Sequence, residues 1–175
     1  MRNIILCGFM GCGKSTVGRL LAGRYGRRFV DMDSYIEQRA GMPVSAIFEQ
    51  FGEADFRRRE REACAALAAE QRLVVATGGG ALVDPENARV LSATGDVVLL
   101  EVTPEEVIRR LEGDTTRPLL MRPDREQAVR ELMAARMPLY RRAAAFVVDG
   151  GRAPEAVADA IAAEILGMPE KEERI

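Results

Sequence analysis

The sequence predicts an α/β fold, a three-layer sandwich whose central sheet is parallel and mostly five-stranded. Three observations carry that expectation. Short apolar runs alternate with stretches of helical spacing along 175 residues, the pattern of strands joined by crossover helices. A glycine-rich segment from Gly8 to Ser15 links the first apolar run to the first helical stretch. Later helical stretches open on Asp84-Pro85-Glu86, Thr103-Pro104-Glu105 and Ala153-Pro154-Glu155, where proline pre-sets φ at the first helical position and the acid suits the exposed N–H groups there. Two full-sized domains are not expected, because a chain of this length already buries about 70% of its unfolded surface in one core.

In chain order, the buried strands are expected at 3–8, 28–31, 73–76, 97–102 and 145–148. The first helix, 14–25, sets Val17, Leu20, Leu21 and Arg24 on neighbouring turns. Glu53 to Glu60 opens a long helix with Phe56, Ala63, Cys64 and Leu67 on its buried face, and Glu60, one turn beyond Arg57, can orient that guanidinium. The segment 113–124 holds Pro118 and Pro123 between two helical patterns, so it reads as a loop and a lid. The domain is expected over 1–168, with a charged tail at 169–175 that frays. Ligands of such a fold bind at the carboxyl edge of the strands.

Composition removes whole classes of chemistry. The chain has no histidine, so serine–histidine triads and imidazole-ligated zinc are excluded and proton transfer falls to carboxylates. Its three cysteines form no C-x-x-C pair, which suits a reducing compartment. Met1-Arg2 and the apolar residues after it resemble a short signal peptide, but they run into a glycine-rich loop rather than a cleavage site. A cytoplasmic protein without a membrane span is therefore expected. A net charge of −2 argues against nucleic acid or a membrane surface as partner. Lys14 and Lys171 are the only lysines against a background of arginine, so Lys14 calls for a chemical reason.

That reason is the match of Gly8-Phe9-Met10-Gly11-Cys12-Gly13-Lys14-Ser15 to G-x-x-x-x-G-K-[ST] between a strand and a helix. Gly11, Cys12, Gly13, Lys14, Ser15 and Thr16 are the expected nucleotide-binding residues. Glycines let backbone N–H groups converge on phosphate, Lys14 reaches the terminal phosphates, and the Ser15 hydroxyl suits Mg²⁺. A thiol near a helix N-terminus gains thiolate character, so Cys12 is expected to react when the site is empty, or else to be tucked away and inert. The strand at 73–76 ends in Thr77-Gly78-Gly79-Gly80 with no acid. The missing carboxylate can come from Asp31-Met32-Asp33, whose two acids face one crevice if strand geometry persists through Met32; the plain alternative has Asp33 capping a helix that begins at Ser34. Gly78, Gly79 and Gly80 leave room for a ligand to approach backbone.

With these residues in view, the chain resembles the shikimate kinase family. The likeness rests on the phosphate loop through Thr16, Asp31-Met32-Asp33, Gly52-Glu53 with Phe56-Arg57 and Glu60, Gly78-Gly79-Gly80, Thr116-Arg117-Pro118-Leu119-Leu120, and Arg136 with Pro138-Leu139-Tyr140-Arg141. The resemblance implies a P-loop, nucleoside-monophosphate-kinase-like fold and transfer of the γ-phosphoryl of ATP to the 3-hydroxyl of shikimate, with Mg²⁺, in aromatic amino-acid biosynthesis. It implies that Asp33 meets the acceptor hydroxyl, as a base or as an orienting group, and that Asp31 holds Mg²⁺ through water. Arg57 and Arg136 clamp the shikimate carboxylate, while Gly79 and Gly80, with Gly78 beside them, contact the ring hydroxyls. Arg117 closes over the phosphates, and Arg110, Arg152 and Pro154 lie about the adenine. The family more often has Ser or Ala where Cys12 stands. A monomer is expected. A related kinase acting on gluconate and a non-catalytic nucleotide-binding regulator are the competing readings, although Lys14, Asp33 and Arg117 are all retained against the second.

Overall fold

Ile4, Ile5, Leu6 and Cys7 are fully buried on both faces of their strand, the mark of a parallel sheet covered on two sides. They belong to β1 (Asn3–Cys7) at the centre of five parallel strands. In this computed structural model, which describes residues 1–114 and 122–167, the other strands are β2 (Arg28–Asp31), β3 (Leu73–Ala76), β4 (Gly95–Glu101) and β5 (Phe146–Asp149). The sheet order is β2-β3-β1-β4-β5. Register sets Ile4, Ile5 and Leu6 beside Val74, Val75 and Ala76 on one side, and beside Asp96, Val97 and Val98 on the other.

The helices are α1 (Lys14–Tyr25), α2 (Met32–Ala40), α3 (Val44–Ala68), α4 (Pro85–Thr94), α5 (Pro104–Arg110), α6 (Arg125–Ala143) and α7 (Pro154–Leu166). α1 and α7 pack together on one face of the sheet, and α3, α4 and α6 cover the other. The expected three-layer sandwich is borne out. So are the three prolines at helix starts, with Asp84 and Thr103 capping α4 and α5 through their side chains. Arg24 of α1 donates to Asp159 of α7 at 2.6 Å.

Two departures from the sequence reading matter for the site. β2 ends at Asp31 and α2 begins at Met32, so strand geometry does not continue through Met32. α3 starts well before Glu53 and breaks at Gly52, where φ is 81° and ψ 175°; the expected helix is its second half. Most of the expected lid, 115–121, and the tail at 169–175 lie outside the described residues. Among the described residues, no helix is long and apolar enough to cross a membrane.

β1 and β3 are neighbours although the chain visits β2 between them, and from β3 it crosses to the far side of β1 to form β4. Strand order therefore reverses around β1, and a crevice opens at the carboxyl ends of β1 and β3.

Candidate active site

The loop after β1 carries positive φ at Gly8 (139°), Gly11 (75°) and Gly13 (98°), angles that side-chain-bearing residues rarely adopt. Gly13 is the N-cap of α1 and offers no side chain to the first helical turn. The N–H groups of that turn remain available to an anion, with the helix dipole behind them. Lys14 folds back over the loop, its Nζ donating to the carbonyls of Gly8 at 2.8 Å and Phe9 at 3.0 Å and lying 3.6 Å from Cys12 Sγ. Cys12 is only 1% exposed. The expectation of a reactive thiol thus gives way to its alternative, a sulfur shut beneath the lysine. Burial pushes Cys7 and Cys64 up to about 12 and holds them as neutral thiols.

The two aspartates divide differently than a pure strand would dictate. Asp31, not Asp33, caps α2: its Oδ1 accepts from Ser34 N–H at 3.2 Å. Its Oδ2 accepts from the Ser15 hydroxyl at 2.8 Å, tying the starts of α1 and α2 together. Asp33 sits in the first turn of α2. Both carboxylates still line one cleft with the phosphate loop, and the cleft encloses about 430 Å³. The serine hydroxyl beside a carboxylate is a pair of hard oxygen donors, the kind Mg²⁺ takes when phosphates supply the rest of its shell. Among the described residues no three acidic, cysteine or histidine side chains gather as an all-protein metal cage.

The glycine run after β3 is in close contact with three of the predicted side chains. A Cβ on Gly78 would stand 2.8 Å from Asp33 Oδ1, one on Gly79 would stand 3.6 Å from Arg136 Nη1, and one on Gly80 would stand 2.5 Å from Arg57 Nη1. A side chain at 78 or 80 would need the end of Asp33 or of Arg57 to shift aside. Arg57 donates to Glu60 at 2.8 Å. Glu60 is 1% exposed, and that burial lifts its pKa above the ordinary glutamate value despite the paired guanidinium. Arg57 behaves as a paired cation: burial draws its pKa down, but the bonds to Glu60 and Glu53 outweigh that and raise it. Arg136 Nη1 donates to the Gly79 carbonyl at 3.3 Å, and the Tyr140 hydroxyl donates to the same oxygen.

Lys14, Ser15, Thr16, Asp31, Asp33, Arg57, Gly78, Gly79, Gly80 and Arg136, from five separate stretches of chain, thus share one cleft, together with Gly11 and Gly13. Arg110 stands beside it, donating to the carbonyls of Gly11 at 3.3 Å and Gly150 at 2.9 Å. Arg152 and Pro154 are exposed and do not line the cleft. Arg117 lies outside the described residues. Sequence reasoning missed the apolar wall formed by Val44, Phe48 and Phe56, with the Phe48 and Phe56 ring centroids 4.7 Å apart. Val44, Ile47, Phe48 and Phe51 stand at i, i+3, i+4 and i+7, the spacing that could have revealed that helix. A wider depression of about 700 Å³ between α5, α6 and β5 is lined by Met133 and Met137 and contains none of these groups.

The family profile described as shikimate kinase matches residues 10–166. Curated relatives of that name include one from Methylococcus capsulatus, 47% identical over 151 residues that make up 86% of this chain and 84% of the relative. Another, from Dechloromonas aromatica, is 50% identical over 149 residues, covering 85% of this chain and 81% of the relative. Among solved structures, a shikimate kinase from Acinetobacter baumannii in complex with shikimate superposes with a TM-score of 0.90 at 40% identity, covering 95% of this chain and 94% of that one. The shikimate kinase from Aquifex aeolicus gives a TM-score of 0.84 at 34% identity, over 94% of this chain and 96% of that one.

Proposed function

The chain belongs to the shikimate kinase family, and on that footing we propose that it transfers the γ-phosphoryl of ATP to the 3-hydroxyl of shikimate, giving shikimate 3-phosphate and ADP. One observation carries the reading: guanidinium groups from α3 and α6, 79 residues apart as Arg57 and Arg136, meet at the glycine run opposite Asp33 in the cleft that the phosphate loop opens into. Two arginines on one carboxylate fix a small acid through charge-assisted bonds worth about 1.5 to 3 kcal/mol each. Held there, one ring hydroxyl faces the terminal phosphate.

Phosphoryl transfer passes through a loose transition state, so alignment and charge supply most of the catalysis. The substrate oxygen bonds to the γ-phosphorus as the bond to the ADP oxygen breaks, and Asp33 accepts the hydroxyl proton. Lys14 neutralises charge on the transferring and leaving oxygens. Arg117 adds to that role as the arginine of the expected lid. Ser15 would hold Mg²⁺ directly and Asp31 would hold it through water. When bound, the ion screens the β- and γ-phosphate charges. Arg110, braced between Gly11 and Gly150, borders the adenine together with Arg152 and Pro154.

Action as a monomer is part of the same proposal. Three free, buried cysteines support a reducing compartment, the cytoplasm. An ADP-release assay with shikimate, quinate and gluconate, with and without Mg²⁺, tests the reading. Turnover on shikimate alone, dependent on the metal, is the expected result. Preference for gluconate would replace the proposed substrate.

A further inference from the structure

Midway along the glycine run, the Gly79 carbonyl accepts two hydrogen bonds from α6, one from Arg136 Nη1 at 3.3 Å and one from the Tyr140 hydroxyl. The donors are one helical turn apart and so reach it from the same stripe of the helix. They differ in mobility. Arg136 is half-buried at the cleft on a long side chain. Tyr140 is 1% exposed and its ring is locked in the core. Burial pushes the phenol up to about 12, so its hydroxyl keeps the proton it donates across the working pH range.

Resting on the shikimate kinase reading, we propose that Tyr140 is a positioning residue for the acid substrate, holding the Gly79 carbonyl in place when Arg136 leaves it to take the substrate carboxylate. An arginine bonded to a backbone carbonyl must give up that bond or share it in order to clamp a ligand. A part-buried carbonyl left without a donor resists the exchange. The phenol removes that resistance because the oxygen stays satisfied throughout. The same bond fixes a peptide plane: no cis peptide occurs among the described residues, and in a trans peptide N–H and C=O point to opposite sides. With the Gly79 oxygen drawn to α6, the Gly80 N–H is held facing away from that helix.

The test is calorimetric titration with shikimate and with ADP, alongside steady-state kinetics, on wild type, Tyr140→Phe, Arg136→Ala and the double variant. Tyr140→Phe keeps the ring and removes only the hydroxyl. The expected result is a weakening of shikimate binding and a rise in its KM of about 3- to 10-fold, with ADP affinity and the KM for ATP within about twofold. In the Arg136→Ala background no arginine leaves the carbonyl on binding, so adding Tyr140→Phe should weaken shikimate by less than about twofold, a coupling that a purely structural ring would not produce. Unchanged shikimate affinity in Tyr140→Phe, an equal penalty in both backgrounds, or a parallel loss of ADP binding would each overturn the proposal. Wild type that binds ADP but not shikimate would instead overturn the reading beneath it.

Discussion

At Asp33, exchange of a carboxylate for an amide of the same shape separates proton transfer from fit. Asp33→Asn is expected to lower kcat by about 10²-fold or more while the KM for shikimate changes little. Turnover within threefold of wild type would take Asp33 out of the proton path. Glu60 tests a different property. Its carboxyl is buried beside Arg57, and burial, reinforced by Asp33 and Asp84, raises its pKa above 4.5. The folded chain therefore holds this proton more tightly than the unfolded one, so the group's stabilisation is complete below about pH 4.5 and is lost as pH climbs through the raised folded value. Glu60→Gln should flatten the decline of unfolding free energy above pH 4.5, measured by urea titration at several pH values; a slope matching wild type would refute the assignment. Single residues with a distinctive chemistry were legible in advance: Lys14, Ser15, Asp31, Asp33, Arg57 and Arg136 reach one cleft as the motifs implied. Tyr140 was not, because a tyrosine on an inward stripe reads as core until its hydroxyl partner is known.

Among the elements, α3 shows how a break places side chains. Its first half supplies Val44 and Phe48 to the cleft wall and its second half supplies Phe56, Arg57 and Glu60, with Gly52 turning between them. The angles at Gly52 (φ 81°, ψ 175°) are nearly closed to other residues, and a Cβ there would meet nothing within 4 Å. Gly52→Ala should therefore cost about 1 to 3 kcal/mol of stability through backbone strain alone, read by urea unfolding, and it should raise the KM for shikimate as the two halves reorient. A loss below 0.5 kcal/mol would mean the turn relaxes freely. Strands β2 and β3 and helix α1 begin and end where periodicity and glycine placed them. The segment before Gly52 escaped notice for a physical reason: Gly41, Pro43 and Gly52 bracket a run too short to be stable alone as a helix, and only packing against the second half and α2 makes it one. Asp31 misled in the same way. It sits where strand passes directly into helix, and it forms with Ser34 the cap that one of the two sequence readings gives to Asp33.

At the scale of the molecule, ligands that bind only the native state should report on the whole fold. An ATP analogue or shikimate at about 100 times its Kd adds about 2.7 kcal/mol, which for a domain of this size corresponds to a rise in Tm of about 5 to 10 °C. Thermal scans should show that shift for shikimate and none for gluconate at equal concentration; identical shifts would argue against selective recognition of the cyclic acid. The sheet order explains why so much of this was foreseeable, since a phosphate loop after a central strand obliges the acceptor to lie at the same edge. At Cys12 the folded molecule takes the second of the two expectations, an inert sulfur in place of a reactive thiol. Cys7, Cys12 and Cys64 are all interior, the second of them under the very lysine that meets phosphate. Peroxide and electrophiles can reach these atoms only in molecules that have already come apart, so oxidative inactivation of this enzyme should keep time with its denaturation and not with the occupancy of its nucleotide site.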